Sequence, residues 1–203
     1  MSLLRAFIAI EIPQHIRTAI ELQTTHLRQT LGCDLVRWVP TENMHLTLKF
    51  LGDMAASHLS FLKQMLTSTA DSHPQFDLQI RGIGSYPTSR KPRILWIGIH
   101  GPLILTTLQK NIEEGAFRLG YAQEERAFSP HLTIGRVRQN ANLSNLPKIR
   151  AALDKIQLGN IGETRIDSIH LFKSDLNPGG SIYTKLFSAP LSKNQPPITE
   201  HTE

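Results

Sequence analysis

Two copies of one four-residue pattern limit what this chain of 203 residues can fold into: His45-Leu46-Thr47-Leu48, and 86 residues later His131-Leu132-Thr133-Ile134. Each copy reads as a short strand. Side chains alternate along a strand, so His and Thr share one face and the aliphatic residues share the other. The match is wider than the motif. At the same offset Ile80 falls on Ile166, Ile83 on Ile169 and Tyr86 on Phe172. Each copy is preceded by a predicted strand, helix and short extended segment: residues 5–11, 13–31 and 35–39 in the first, and 93–100, 102–119 and 122–128 in the second. Each is followed by another helix and strand. An internal duplication accounts for this, and its period is too long for a solenoid. The expectation is two lobes related by a rotation that brings the equivalent strands together at the axis.

The hairpin-like strand pairs in each half predict an α+β fold with antiparallel sheets, not a doubly wound parallel sheet. One domain is expected over residues 1–191, with copies centred on 45–48 and 131–134, and a polar tail over 192–203. A hydrophobic content of 40% is enough for a core. No run reaches the length of a membrane span, so no membrane partner is expected. Glu11 and Pro13 interrupt the apolar run 6–12, which therefore does not read as a signal peptide. Cys33 is the single cysteine. It excludes a disulfide framework and a cysteine-based metal site, and it fits a reduced cytoplasmic location. The formal charge of +5 leans towards a polyanionic partner such as RNA. Residues 85–93 hold Pro87, Pro92, Arg90, Lys91 and Arg93 and read as a loop. Asn177-Pro178-Gly179-Gly180 reads as a turn joining strands 165–173 and 181–188. There is no glycine-rich nucleotide fingerprint and no P-loop.

Of the nine histidines, His45 and His131 stand apart because they carry the same neighbours. His15 and His26 fall on the exposed side of the first helix, and His170 reads as a satisfied core residue. Two imidazoles facing one cleft suit phosphate ester chemistry. One can take a proton from water while the other protonates the leaving oxygen, both near neutral pH. Thr47 and Thr133 are placed to donate to phosphoryl oxygens. Lys49 shares the parity of His45 and Thr47 and is expected in the cleft. Arg136 has the opposite parity to His131 and reaches the cleft only if its strand ends or bulges near Gly135. Phe7 and Trp96 sit in apolar strands, where core packing is expected over base stacking. Neither motif strand carries a second His, Asp or Glu on the histidine face, and structural zinc recruits cysteine, so no metal and no cofactor are expected.

These residues carry a resemblance to the 2H phosphoesterases, a family named for two histidines. Arg5-Ala6-Phe7-Ile8-Ala9-Ile10 looks like the family's first strand. Trp38-Val39-Pro40, leading to His45-Leu46-Thr47-Leu48-Lys49-Phe50-Leu51-Gly52, is similar to its first motif. Phe128-Ser129-Pro130-His131-Leu132-Thr133-Ile134-Gly135-Arg136 is similar to its second. Within the family the chain most resembles the RNA 2′,3′-cyclic phosphodiesterases, also called LigT or 2′-5′ RNA ligases. The resemblance implies two pseudo-symmetric α+β lobes, with antiparallel sheets lining a central water-filled cleft and helices outside. It implies hydrolysis of RNA 2′,3′-cyclic phosphate ends, or nucleoside 2′,3′-cyclic phosphates, to 2′-phosphomonoesters; a monomer is expected. It casts His131 as proton acceptor and His45 as proton donor, and it places Arg136 near the base or phosphate. Two other readings remain open at this point: a 2′-5′ RNA ligase acting on tRNA halves, and a non-catalytic nucleotide-binding module.

Overall fold

Apolar residues recur every three or four positions between Ile16 and Leu31 and wind that stretch into a helix with Ile16, Ile20, Thr24, Leu27 and Leu31 buried. The buried Thr24 hydroxyl donates to the Ile20 carbonyl at 2.8 Å. The regular pattern stops where Gly32 takes φ 67°, a conformation that glycine adopts without steric cost. A computed structural model describes residues 3–139, 141, 143–156, 158–177 and 180–193. Its elements are β1 (Leu3–Glu11), α1 (Gln14–Leu35), β2 (Val36–Trp38), β3 (His45–Ala55), α2 (Leu59–Asp71), β4 (Phe76–Thr88), β5 (Lys91–His100), α3 (Leu103–Arg118), β6 (His131–Val137), α4 (Leu146–Lys155), β7 (Asn160–Ile166), β8 (Ser168–Asn177) and β9 (Gly180–Pro190).

The strands pair antiparallel in the order β7-β4-β5-β6-β3-β1-β8-β9, with β2 added beside β6. β3 and β6 meet through one residue pair, Leu46 with Leu132. That junction divides the sheet into two equivalent groups, β3-β1-β8-β9 and β6-β5-β4-β7. The fold is α+β with two pseudo-symmetric lobes. The lobes are not the two halves of the sequence, however. A tight turn after Thr88 ties β4 to β5 as a hairpin, so β4 joins the second lobe. The run 165–173, expected as one strand, splits at Asp167: β7 pairs with β4, and β8 crosses to pair with β1.

Residues 85–93 are the closing end of the β4–β5 hairpin and not a loop. Pro87 faces Pro92 beside a register shift, so the missing N–H donors fall at an irregular rung of the ladder. Residues 122–128 lack regular structure, whereas their counterpart in the first copy forms β2. The middle of the turn expected at Asn177-Pro178-Gly179-Gly180, Pro178 and Gly179, lies outside the described residues, as does the tail from residue 194 onward.

Helices α2 and α3 pack behind the β3 lobe, and α1 and α4 behind the β6 lobe. One apolar cluster runs through both and includes Ile8, Leu46, Leu132 and Ile134, each at most 1% exposed. Burying side chains of this size contributes about 1.5–3 kcal/mol each. The central consequence is orientation. With Leu46 and Leu132 locked into the core, the residues on either side of them must face the opposite side of the sheet. No described helix is long and apolar enough to cross a membrane.

Candidate active site

The Leu46–Leu132 pair builds the site. Antiparallel register carried one residue each way sets His45 opposite Thr133 and Thr47 opposite His131. All four side chains lie on the face away from the core and are half-buried. Directly opposed Cβ atoms in such a pair sit about 4.5–5.5 Å apart, and diagonal ones about 7–8 Å. The histidines occupy one diagonal and the threonines the other.

Both imidazoles are oriented in the same way. His45 Nδ1–H donates to the carbonyl of Asn43 at 2.8 Å, and His131 Nδ1–H donates to the carbonyl of Ser129 at 2.7 Å. A carbonyl only accepts, so Nδ1 carries the proton and Nε2 is left for chemistry. Each carbonyl supplier is itself tied to a neighbouring strand. Asn43 Nδ2 donates to the Ser181 carbonyl of β9 at 2.9 Å, and the Ser129 hydroxyl shares a 2.7 Å hydrogen bond with the Tyr86 hydroxyl of β4. Asn43 and Ser129 were not among the site residues expected from the sequence, although they are related by the same 86-residue offset as the histidines.

The surroundings of the two rings differ. His45 stacks on Phe7 at 4.6 Å between centroids and meets the edge of Tyr183 at 5.2 Å. His131 meets Tyr86 edge-on at 5.1 Å, with Trp96 further away at 6.4 Å. Burial pushes the His45 pKa down to about 4; the positive charge of Arg136 adds to this, while the Asn43 carbonyl acts in the opposite sense. Phe7, 3% exposed, packs against the histidine and against Phe172. A cavity of about 1000 Å³ opens beside His45, with Phe7, Asn43, Phe172 and Tyr183 on its walls. His170 also borders it, buried and held by Ser188 at 2.9 Å, with burial lowering its pKa and Glu11 opposing the shift.

Matching β-bulges separate the two basic residues expected in the cleft. In β3 the ladder steps from Ala9–Thr47 to Ile8–Lys49 and leaves Leu48 as an extra residue. In β6 it steps from Trp96–Thr133 to Leu95–Gly135 and leaves Ile134 extra. An extra residue reverses the facing of everything beyond it. Lys49 is thereby turned away from the cleft, contrary to the expectation from simple alternation. It is 4% exposed and forms an ion pair with Glu113 of α3, while also donating to the Ala122 carbonyl. Glu113 also accepts from the Glu124 amide at 2.7 Å, so this ion pair anchors the irregular segment before His131. Arg136 is turned the other way. It is exposed on the histidine face, where its charge acts on His45. Among the described residues, no three His, Cys, Asp or Glu side chains are grouped so as to hold a metal ion.

A family model described as the 2′-5′ RNA ligase superfamily matches residues 14–178. The chain belongs to this superfamily. A protein of Methanothermobacter thermautotrophicus named RNA 2′,3′-cyclic phosphodiesterase is 31% identical over 184 residues, which cover 90% of this chain and 96% of that one. A Methanocaldococcus jannaschii protein of the same name is 33% identical over 180 residues, covering 89% and 96% of the two chains. The crystal structure of Escherichia coli LigT complexed with 3′-AMP superposes with a TM-score of 0.74 at 27% identity and covers 94% of this chain and 99% of that one. The superposition shows that this chain has the LigT-like architecture over nearly its full length.

Proposed function

We propose that this superfamily member is an RNA 2′,3′-cyclic phosphodiesterase that opens cyclic ends to 2′-phosphomonoesters without a metal. The observation that carries the reading is the pair of imidazoles, each with Nδ1 committed to a backbone carbonyl and Nε2 left for the shared face. The names of the relatives support it, as does the nucleotide in the LigT complex.

His131 Nε2 takes a proton from water as the water oxygen attacks phosphorus. The bond from phosphorus to the 3′ oxygen breaks, and that oxygen receives the proton of His45 Nε2. Thr47 and Thr133 donate to the non-bridging oxygens as charge grows on them, and Arg136 offsets that charge from the β6 side. The depressed pKa keeps His45 neutral in the free protein at pH 7. An arriving phosphate anion favours the imidazolium, so substrate itself loads the acid. The cavity beside His45 has room for the nucleoside that carries the leaving oxygen.

The test is turnover of a nucleoside 2′,3′-cyclic phosphate in excess EDTA, with the product identified by phosphorus NMR. The proposal expects a 2′-monophosphate at an undiminished rate. A 3′-monophosphate, an unreacted substrate, or activity that returns only with an added divalent ion would contradict it.

A further inference from the structure

Arg37 was not among the site residues expected from the sequence. In the β2–β6 ladder it lies directly opposite Arg136, between the pairs Val36–Val137 and Trp38–Gly135. Directly opposed residues of an antiparallel pair point to the same face, so Arg37 shares the face of Arg136 and of the two histidines. Both arginines are exposed, while Val36 beside Arg37 is buried on the core side. Like charges held directly opposite each other destabilise a sheet pair. Among the described residues neither guanidinium has a carboxylate within salt-bridge distance. Other arginines on nearby elements are committed: Arg138 donates to the Cys33 carbonyl at 2.7 Å, and Arg28 lies over the Trp38 ring at 4.9 Å. Two arginines side by side on the face of the histidines, with no acid among the described residues to neutralise them, have the chemistry of an anion track.

We infer that Arg37 binds an internal phosphodiester of the RNA, the one next to the cyclic end, while Arg136 serves the reacting phosphate. This deepens the proposed function and rests on it. Guanidinium groups suit phosphate because they offer several donors in a planar fork. A mononucleotide has no second phosphate and cannot use Arg37. An oligonucleotide end can. The enzyme should therefore prefer RNA ends to free cyclic nucleotides, and Arg37 should be a residue that sets this preference.

The experiment compares Arg37→Gln with wild type on two substrates, a nucleoside 2′,3′-cyclic phosphate and a dinucleoside monophosphate ending in a 2′,3′-cyclic phosphate. For the dinucleotide, kcat/KM should fall on the order of tenfold, the scale of one charge-assisted hydrogen bond. For the mononucleotide it should stay within about twofold, which also shows that the variant is folded. The slope of log kcat/KM against log salt for the dinucleotide should shrink by about 0.7, the value for one phosphate contact on a single strand. Without ligand the variant should melt no lower than wild type, because a like-charge contact has been removed. Equal losses on both substrates would overturn the inference and make Arg37 part of a general positive field. No loss on either would overturn it as well. If wild type turns over neither substrate, the failure belongs to the proposed function, and the inference falls with it.

Discussion

The β3 and β6 strands begin as copies and end as opposites. Through His-Leu-Thr they match residue for residue, down to the carbonyl that holds each Nδ1. Both then insert one aliphatic residue, Leu48 or Ile134, and both reverse their facing. Beyond the bulge the two strands diverge. The first copy buries Lys49 and exposes Phe50, which is 65% exposed beside the Phe7 ring. The second buries Gly135 and exposes Arg136. A side chain at Gly135 would strike Val36 and Trp38, at 2.6 and 3.0 Å from an added Cβ, so the missing side chain is what lets β2 dock on β6. A symmetric backbone thus carries asymmetric chemistry: on the proposed function, one acid and one base use the same frame, while one phosphate takes its cation on one side. The lysine that the copy could have supplied is used instead to secure the segment leading to the second histidine.

The largest test of this comparison removes each imidazole in turn. His45→Ala and His131→Ala should each lower turnover by a factor on the order of 10²–10⁴, the usual contribution of a positioned acid or base. Near wild-type turnover in either variant would break the pairing. The next separates the two cations. Lys49→Met leaves the half-buried Glu113 carboxylate without its cation and should cost about 3 kcal/mol of stability, read from denaturant midpoints. Arg136→Gln should leave stability nearly unchanged and lower kcat/KM by about 10- to 100-fold through a lost charge-assisted contact. The opposite assignment of effects would restore Lys49 to the cleft.

Thr47→Val and Thr133→Val keep shape and lose a donor, so each should cost about 1–3 kcal/mol in kcat/KM without altering the pH limbs. The pH dependence itself sharpens the contrast between the rings. Two ordinary histidines would give a bell with both limbs in the histidine range. Burial of His45 moves one limb, so kcat/KM should hold as pH falls past 6.5 and decline only near 4. In kcat that limb should sit higher, because bound phosphate favours the charged ring. Stability depends on the same group. Its folded pKa is depressed, so the unfolded chain binds the proton first, and stability should drop as pH falls from 6.5 towards 4, flattening below that. His45→Gln should remove this part of the dependence.

Much of the site is legible in the sequence, for a physical reason. His-x-Thr and its aliphatic partners encode facing directly, because alternation is a property of any strand. The pairing of Tyr86 with Phe172 by offset alone also marks real equivalents, since Tyr86 lies beside His131 and Phe172 lies within reach of His45. Lys49 defeats simple alternation because a bulge is a property of two strands together. Neither Leu48 nor Ile134 announces that its partner strand is one residue short. The same limit hides Arg37, whose meaning depends on standing opposite Arg136, and the exchange of β4 and β8 between lobes, which no local pattern records. Arg136 is legible only in the conditional form that requires a bulge near Gly135.

A crystal structure with phosphate or a nucleotide bound tests the central claim most directly, that one face holds both histidines and both threonines around a single phosphorus atom. The oxygens of the anion should lie within hydrogen-bond distance of Nε2 of His45 and of His131 and of the hydroxyls of Thr47 and Thr133, with Arg136 alongside and Lys49 still paired to Glu113. An anion bound away from the threonines, or histidines too far apart to flank it, would contradict it.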